Sequence, residues 1–253
     1  MSESQKTAVV FGLANKRSIA WAIAQKLQES GWRLAICYQN ERLEQEAKDL
    51  IADLPGAEGY MCDVAFDEQI AKLFDELKSQ YGTLQGIVHS VAFAPADAMK
   101  GEFINTSREG FRIAHDVSVY SLIAVSRAAA PLMTEGGGVV TLSYYGAEKV
   151  VPGYNVMGVA KAALEATVRY LASDLGPKGI RVHAISPGPL ATRAASGIPE
   201  FDELMDKAQS QAPTRSLVSI DDVGKATAFL ALDGAKLITG SVLYIDGGYH
   251  IID

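Results

Sequence analysis

The chain has little cysteine, no excess of basic charge and no long apolar run, and each shortage excludes a class of protein. Only two of its 253 residues are cysteines, Cys37 and Cys62. Both sit inside apolar, strand-like runs, which suits small buried hydrophobes in a reducing compartment better than a disulfide scaffold. A formal net charge of −7 and a pI near 5.2 leave no basic stripe for a phosphate backbone, so nucleic acid is not an expected partner. No stretch approaches the ~18 uninterrupted apolar residues that a membrane span needs, and Met-Ser-Glu-Ser-Gln-Lys at the start has no basic-then-apolar leader. A cytoplasmic protein with no membrane partner is expected.

Chemical signatures are missing as well. The four histidines, His89, His115, His183 and His250, are scattered without metal-ligand spacing, so no metal is expected. There is no Gly-x-Ser-x-Gly elbow to carry a serine nucleophile. The full Gly-x-Gly-x-x-Gly phosphate turn is absent too, Gly12 alone standing at its place.

What is present is the alternation of a doubly wound α/β protein. Thr7 to Phe11 is a short apolar run, and the loop Gly12-Leu-Ala-Asn-Lys-Arg-Ser18 leads into helical spacing through Ile19, Ala22, Ile23 and Leu27. That loop offers backbone N–H groups and the Ser18 hydroxyl at a helix N-terminus, where phosphate is favoured; a plain connection capped by Ser18 is the competing reading. Leu34 to Tyr38, Gly59 to Cys62, Leu84 to His89, Val139 to Ser143, Arg181 to Ser186 and Val242 to Asp246 read as further strands. Helical spacing covers Arg42 to Leu54, Asp67 to Tyr81, one long stretch from Arg108 to Met133, the run after Tyr154 to Gly176-Pro177, and Asp221 to Leu232. With 48% hydrophobic and 21% charged residues and no linker or repeat, residues 1–253 read as a single-domain Rossmann-type parallel sheet of about seven strands, helices on both faces.

Ligands of such sheets lie at the carboxyl ends of the strands. Gln39-Asn40-Glu41 follows the second strand, where an adenosine ribose sits, and Asp63 closes the third, as adenine acceptor or as turn cap. Tyr144 and Tyr145 stand after the fifth strand, and Pro187-Gly188-Pro189 makes a rigid corner after the sixth. Residues 190–212 are the least regular stretch; Ile198, Phe201, Leu204 and Met205 suit either core or a substrate lid. The sharpest pairing is Tyr154 with Lys161. Seven residues at about 100° each fall about 20° short of two turns, which brings phenol and ammonium onto one face if the helix includes Tyr154.

These residues resemble the short-chain dehydrogenase/reductase superfamily. The Tyr-x6-Lys spacing, with Gly12 to Ala20, His89-Ser-Val-Ala-Phe-Ala-Pro95, Ser107 to Asp116, Leu142 to Glu148, Ser196-Gly-Ile198 and Asp246-Gly-Gly248, resembles its enoyl-acyl-carrier-protein reductase branch. The resemblance implies reduction of the trans-2 double bond of an acyl-carrier-protein-bound enoyl thioester in fatty acid synthesis, by a homotetramer using a reduced nicotinamide. It implies that Tyr154 is the donor to the thioester carbonyl, Tyr144 a second catalytic tyrosine, and Lys161 the holder of the nicotinamide ribose. Gly12, Ser18 and Ile19 would face the pyrophosphate, Gln39 the ribose, and Asp63 and Val64 the adenine. Ser90, Val91 and Ala92, with Leu190, Ala191, Thr192, Arg193 and Ala194, would line the remaining cofactor. Ala94, Ile198, Phe201 and Leu204 would join the two tyrosines around the acyl chain. The chain departs from the family's usual residues at Tyr145, Pro187, Ala191 and Arg193.

Beside Gln39, Glu41 would repel a 2′-phosphate, so NADH is expected over NADPH, with Arg42, Lys16 and Arg17 as the cations able to reverse that preference. Two alternatives compete: a short-chain dehydrogenase acting on a C=O such as a 3-ketoacyl group, which lacks here its Asn-Asn-Ala-Gly run, and a nucleotide-sensing regulator without turnover.

Overall fold

The computed structural model describes residues 5–192, 201–231 and 233–252. They form a seven-stranded, wholly parallel sheet of β1 (Thr7–Phe11), β2 (Arg33–Tyr38), β3 (Glu58–Met61), β4 (Gly86–His89), β5 (Gly137–Leu142), β6 (Ile180–Pro187) and β7 (Val242–Ile245). Its order is β3-β2-β1-β4-β5-β6-β7. The direction of winding reverses between β1 and β4, which opens a crevice at their carboxyl ends. Every residue of β1, β4 and β6 is buried, as strands covered on both faces require.

Two helical layers provide the cover. On one face lie α3 (Asp67–Tyr81), α4 (Arg108–His115), α5 (Ser121–Ala129) and α6 (Asn155–Leu175); on the other lie α1 (Ile19–Glu29) and α8 (Ile220–Ala231), and α2 (Glu41–Ile51) links β2 to β3. Side chains such as Leu122, Leu164 and Val168, with no exposed surface, close the first core. Truncating one of these leucines to alanine costs about 2–5 kcal/mol. Ser18 caps α1 by accepting the Trp21 N–H at 3.3 Å. Ser219 and Asp222 cap α8 reciprocally, each accepting the other's backbone N–H.

Two expectations need correction. The single helix expected from Arg108 to Met133 is broken by a wide π turn at Asp116–Tyr120. The buried Ser118 in that turn accepts the Phe93 N–H at 3.0 Å and donates to the Phe93 carbonyl at 3.1 Å, which ties the helix to the loop leaving β4. Residues 190–212 are also more regular than expected, because α7 (Phe201–Gln211) occupies half of them. Ala208 and Ala212 seat this helix against Tyr249, with Tyr145 and Leu217 packed alongside.

Candidate active site

A cleft of about 250 Å³, open to solvent, runs along the carboxyl ends of β1, β4, β5 and β6. Gly12, Ser18 and Ile19 line it from the first loop, Ser90, Val91 and Ala92 from the fourth strand's end, Tyr144, Tyr154 and Lys161 from β5 and α6, and Leu190 and Thr192 from the last corner. Residues eighty or more positions apart in sequence thus meet in one space.

The phosphate end is shaped by two local rules. Gly12 has φ +91°, and a Cβ there would overlap the Ser90 carbonyl oxygen, so glycine is required where the β1 and β4 loops touch. Ser18 donates to the Asn15 carbonyl at 2.6 Å while capping α1, and Asn15 Oδ1 accepts the Arg17 N–H at 2.9 Å. The capping and ligand readings of Ser18 are therefore compatible: its hydroxyl fixes the loop whose N–H groups border the cleft.

At the opposite end Tyr144 is packed edge-on between Tyr145 and Tyr154, with centroid distances of 5.0 and 5.1 Å. The Tyr144 hydroxyl is buried and, among the described residues, has no hydrogen-bond partner. Burial raises the pKa of Tyr154 above that of an ordinary phenol, so the group stands protonated, as a donor, through the neutral range. Tyr154 itself only caps α6, which begins at Asn155 with φ +39°. The eclipsing argument therefore counts one residue too many as helical, and the phenol and the ammonium share the cleft through the turn at Gly153 (φ +73°) and Asn155.

Lys161 is 5% exposed, and its Nζ donates to the Leu142 carbonyl at 2.6 Å. Burial lowers its pKa from the ordinary 10.5 to about 8, against a smaller upward pull from Glu165. Sequence reading did not single out Ser143 or Glu165. Yet Ser143 Oγ donates to Glu165 Oε1 at 2.5 Å directly beside the lysine's carbonyl anchor.

The residues expected to meet the adenosine lie in a separate, shallow depression of Gln39, Asn40, Glu41, Arg42, Met61, Asp63, Phe66 and Gln69. Gln39 Nε2 donates to Asp63 Oδ2 at 3.0 Å, while Asp63 Oδ1 accepts the Ala65 N–H, so Asp63 is both a turn residue and Gln39's partner. The Val64 side chain is buried in the core and only its backbone remains for a ligand. Ala94 is half-buried at the core's edge, Ala191 is exposed, and Leu204 lies half-buried on α7, which Phe201 begins. Arg193, Ala194 and Ile198 lie outside the described residues.

Comparison with known proteins decides what kind of protein presents this cleft. A family model described as enoyl-(acyl carrier protein) reductase matches residues 12–250. The chain belongs to the enoyl-(acyl carrier protein) reductase family. It is 47% identical over 249 residues to an enoyl-[acyl-carrier-protein] reductase [NADH] of Bacillus cereus, covering 98% of this chain and 97% of that protein. A protein of the same description from Escherichia coli is 45% identical, with 98% and 95% covered. The crystal structure of the B. cereus reductase with NADP+ and indole naphthyridinone superposes with a TM-score of 0.96, over 98% of this chain and 97% of that one. A reductase from Anaplasma phagocytophilum in complex with NAD is 42% identical and superposes at 0.94, over 97% and 94%.

The residues of the cleft fit the dinucleotide that such reductases take. Among the described residues the buried Tyr144 hydroxyl beside the cleft has no partner, an arrangement that packing alone does not require. Among the described residues there is no group of three or more His, Cys, Asp or Glu that could hold a metal ion. His89 is engaged structurally, its ring nitrogens 2.9 Å from the Thr141 hydroxyl and 2.8 Å from that of Ser121.

Proposed function

We propose that the protein reduces the trans-2 double bond of an enoyl thioester carried on acyl carrier protein, with NADH as donor, in the cytoplasmic synthesis of fatty acids. The observation that carries this reading is the meeting of Tyr144, Tyr154 and Lys161 in one cleft with the Gly12 loop and the Pro187-Gly188-Pro189 corner. NADH, when bound, supplies a hydride to the β-carbon of the substrate. Negative charge then collects on the thioester oxygen, a protonated Tyr154 donates a hydrogen bond to it, and a proton taken up at the α-carbon converts the enolate to the saturated thioester. Its raised pKa suits a donor that keeps its proton until charge develops. Tyr144, with its hydroxyl unpartnered, stands beside Tyr154 as a second donor and wall.

Lys161 exchanges its Leu142 contact for the nicotinamide ribose and places positive potential near the developing charge. The loop from Gly12 to Ser18 and Ile19 takes the pyrophosphate, and Gln39 and Asp63 reopen their mutual bond for the adenosine. Ala94 and Leu204, both half-buried, border the acyl chain. Exposed apolar residues Val159 and Tyr170 on α6 and Ile251 at the chain end suit packing of four copies into a homotetramer. The competing C=O reductase reading lacks its Asn-Asn-Ala-Gly run, and a sensor has no need of a protonated phenol in the cleft.

The test is isotopic. With 4-deuterated NADH and a trans-2-enoyl thioester of acyl carrier protein, mass spectrometry should find deuterium at C3 of a saturated acyl chain. Recovery of unchanged enoyl thioester would refute the proposal.

A further inference from the structure

Glu165 lines no part of the cleft, yet it is 6% exposed and lies one helical turn after Lys161. The buried stripe of α6 runs through Val156, Met157, Ala160, Leu164 and Val168, and Lys161 and Glu165 are its charged members. Two consecutive residues at the end of β5 hold them: Leu142 O accepts from Lys161 Nζ, and Ser143 Oγ donates to Glu165 Oε1. A buried ammonium held only by a neutral carbonyl loses its charge readily, whereas a fixed carboxylate nearby retains it. We infer that Glu165, clamped by Ser143, is the positioning and counter-charge residue of Lys161, keeping its ammonium ionised and seated at the cleft.

The surroundings are consistent with that part. Burial is the largest influence on the Glu165 carboxyl and, with Glu148, raises its pKa above the ordinary carboxylate value, while the Ser143 hydroxyl, Arg169 a turn further along α6, and Lys161 itself pull toward the ionised form. Tyr244 on β7 faces the same group with its hydroxyl donated to Glu148 at 2.7 Å, and His89 on β4, which faces Lys161, is held neutral by burial. Glu165 is then the carboxylate acting on Lys161, and burial brings the titration of Lys161 down to about 8, where a modest change decides its charge.

The consequence for cofactor binding rests on the reading of Lys161 given above; the pairing itself does not. The experiment separates the two. In protein carrying 13C-labelled lysine, the Cε resonance of Lys161, assigned by its loss in Lys161→Met, reports the ammonium with no cofactor present. In Glu165→Gln, which keeps an acceptor for Ser143, its midpoint should fall by about one pH unit. NADH affinity, followed by protein fluorescence from pH 7 to 9 (a chosen assay range of about two units around the Lys161 midpoint), should lose its alkaline limb earlier by the same amount. Glu165→Asp should restore both in part. An unmoved Cε midpoint overturns the inference. A moved midpoint with an unmoved NADH limb upholds the counter-charge and refutes instead the assignment of Lys161 to the cofactor. If Glu165→Gln does not fold, Ser143→Ala should displace the midpoint in the same direction by less, and no displacement there overturns the inference equally.

Discussion

The two ends of the proposed cofactor path are built in opposite ways. At the reaction end Tyr144, Tyr154 and Lys161 are held by edge-on rings and a buried 2.6 Å contact, and burial displaces the pKa of all three. At the adenosine end Gln39 is exposed, its bond to Asp63 lies at the surface, and the depression around them is shallow. Electrostatic interactions gain strength where water is excluded and are screened where it is not. Substitutions at the buried end should therefore cost more, in rate or in affinity, than substitutions at the exposed end.

The most severe way to break this contrast is Tyr154→Phe, which should keep the fold and NADH affinity while lowering turnover roughly 10²–10³-fold, the worth of one oxyanion donor. Unchanged turnover in steady-state assays would move the role to Tyr144. Next comes Lys161→Ala: NADH titration should show affinity reduced by about 10- to 100-fold, the worth of a charged hydrogen bond, ahead of any separate loss in turnover. Wild-type affinity with lost turnover would make the lysine purely catalytic.

The same lysine gives the contrast a pH signature. Its folded-state value of about 8 lies below the ordinary 10.5, so raising the pH through 8 discharges it in the folded enzyme while an unfolded chain keeps the proton. NADH affinity should accordingly fall by up to about tenfold per pH unit above 8, and the free enzyme should gain stability between about pH 8 and 10.5, since the unfolded state binds more protons there. Flat affinity across this window would show that the ammonium is not what holds the ribose.

Smaller effects belong to the exposed end. Asp63→Ala should weaken NADH by only about 2- to 10-fold in the same titration, as expected of one surface hydrogen bond. Arg42→Ala should leave kcat/KM with NADH unchanged and lower the NADPH value selectively, because Lys16 is already held by Asp53 at 2.7 Å. A larger loss with NADH than with NADPH would contradict a contact between Arg42 and the 2′-phosphate.

How much of this was legible in the sequence follows from the range of each signal. Local periodicity recovered the seven strands and most helices, and α7 carried a usable pattern as well, with apolar residues at 201, 204, 205, 208 and 212. That pattern is helical, but the small residues before it hide its start. Gly12 is marked by turn chemistry, whereas the helical spacing that pairs Tyr154 with Lys161 overstates their alignment because Tyr154 caps α6 without belonging to it. Ser143 and Glu165 lie 22 positions apart and meet only once β5 and α6 pack, so no local signal joins them. The π turn at Ser118 and the left-handed Asn155 are answers to tertiary contacts, with Phe93 and with Gly101.

The central claim is that the buried end reduces a carbon–carbon double bond. NADH oxidation measured side by side with a trans-2-enoyl thioester and a 3-ketoacyl thioester of equal chain length tests it most directly. Rapid oxidation is expected with the enoyl thioester, and a kcat/KM at least about a hundred-fold lower with the ketoacyl one, the discrimination of a site built for one charge distribution. Preference for the ketoacyl thioester, or no oxidation with either, would contradict it.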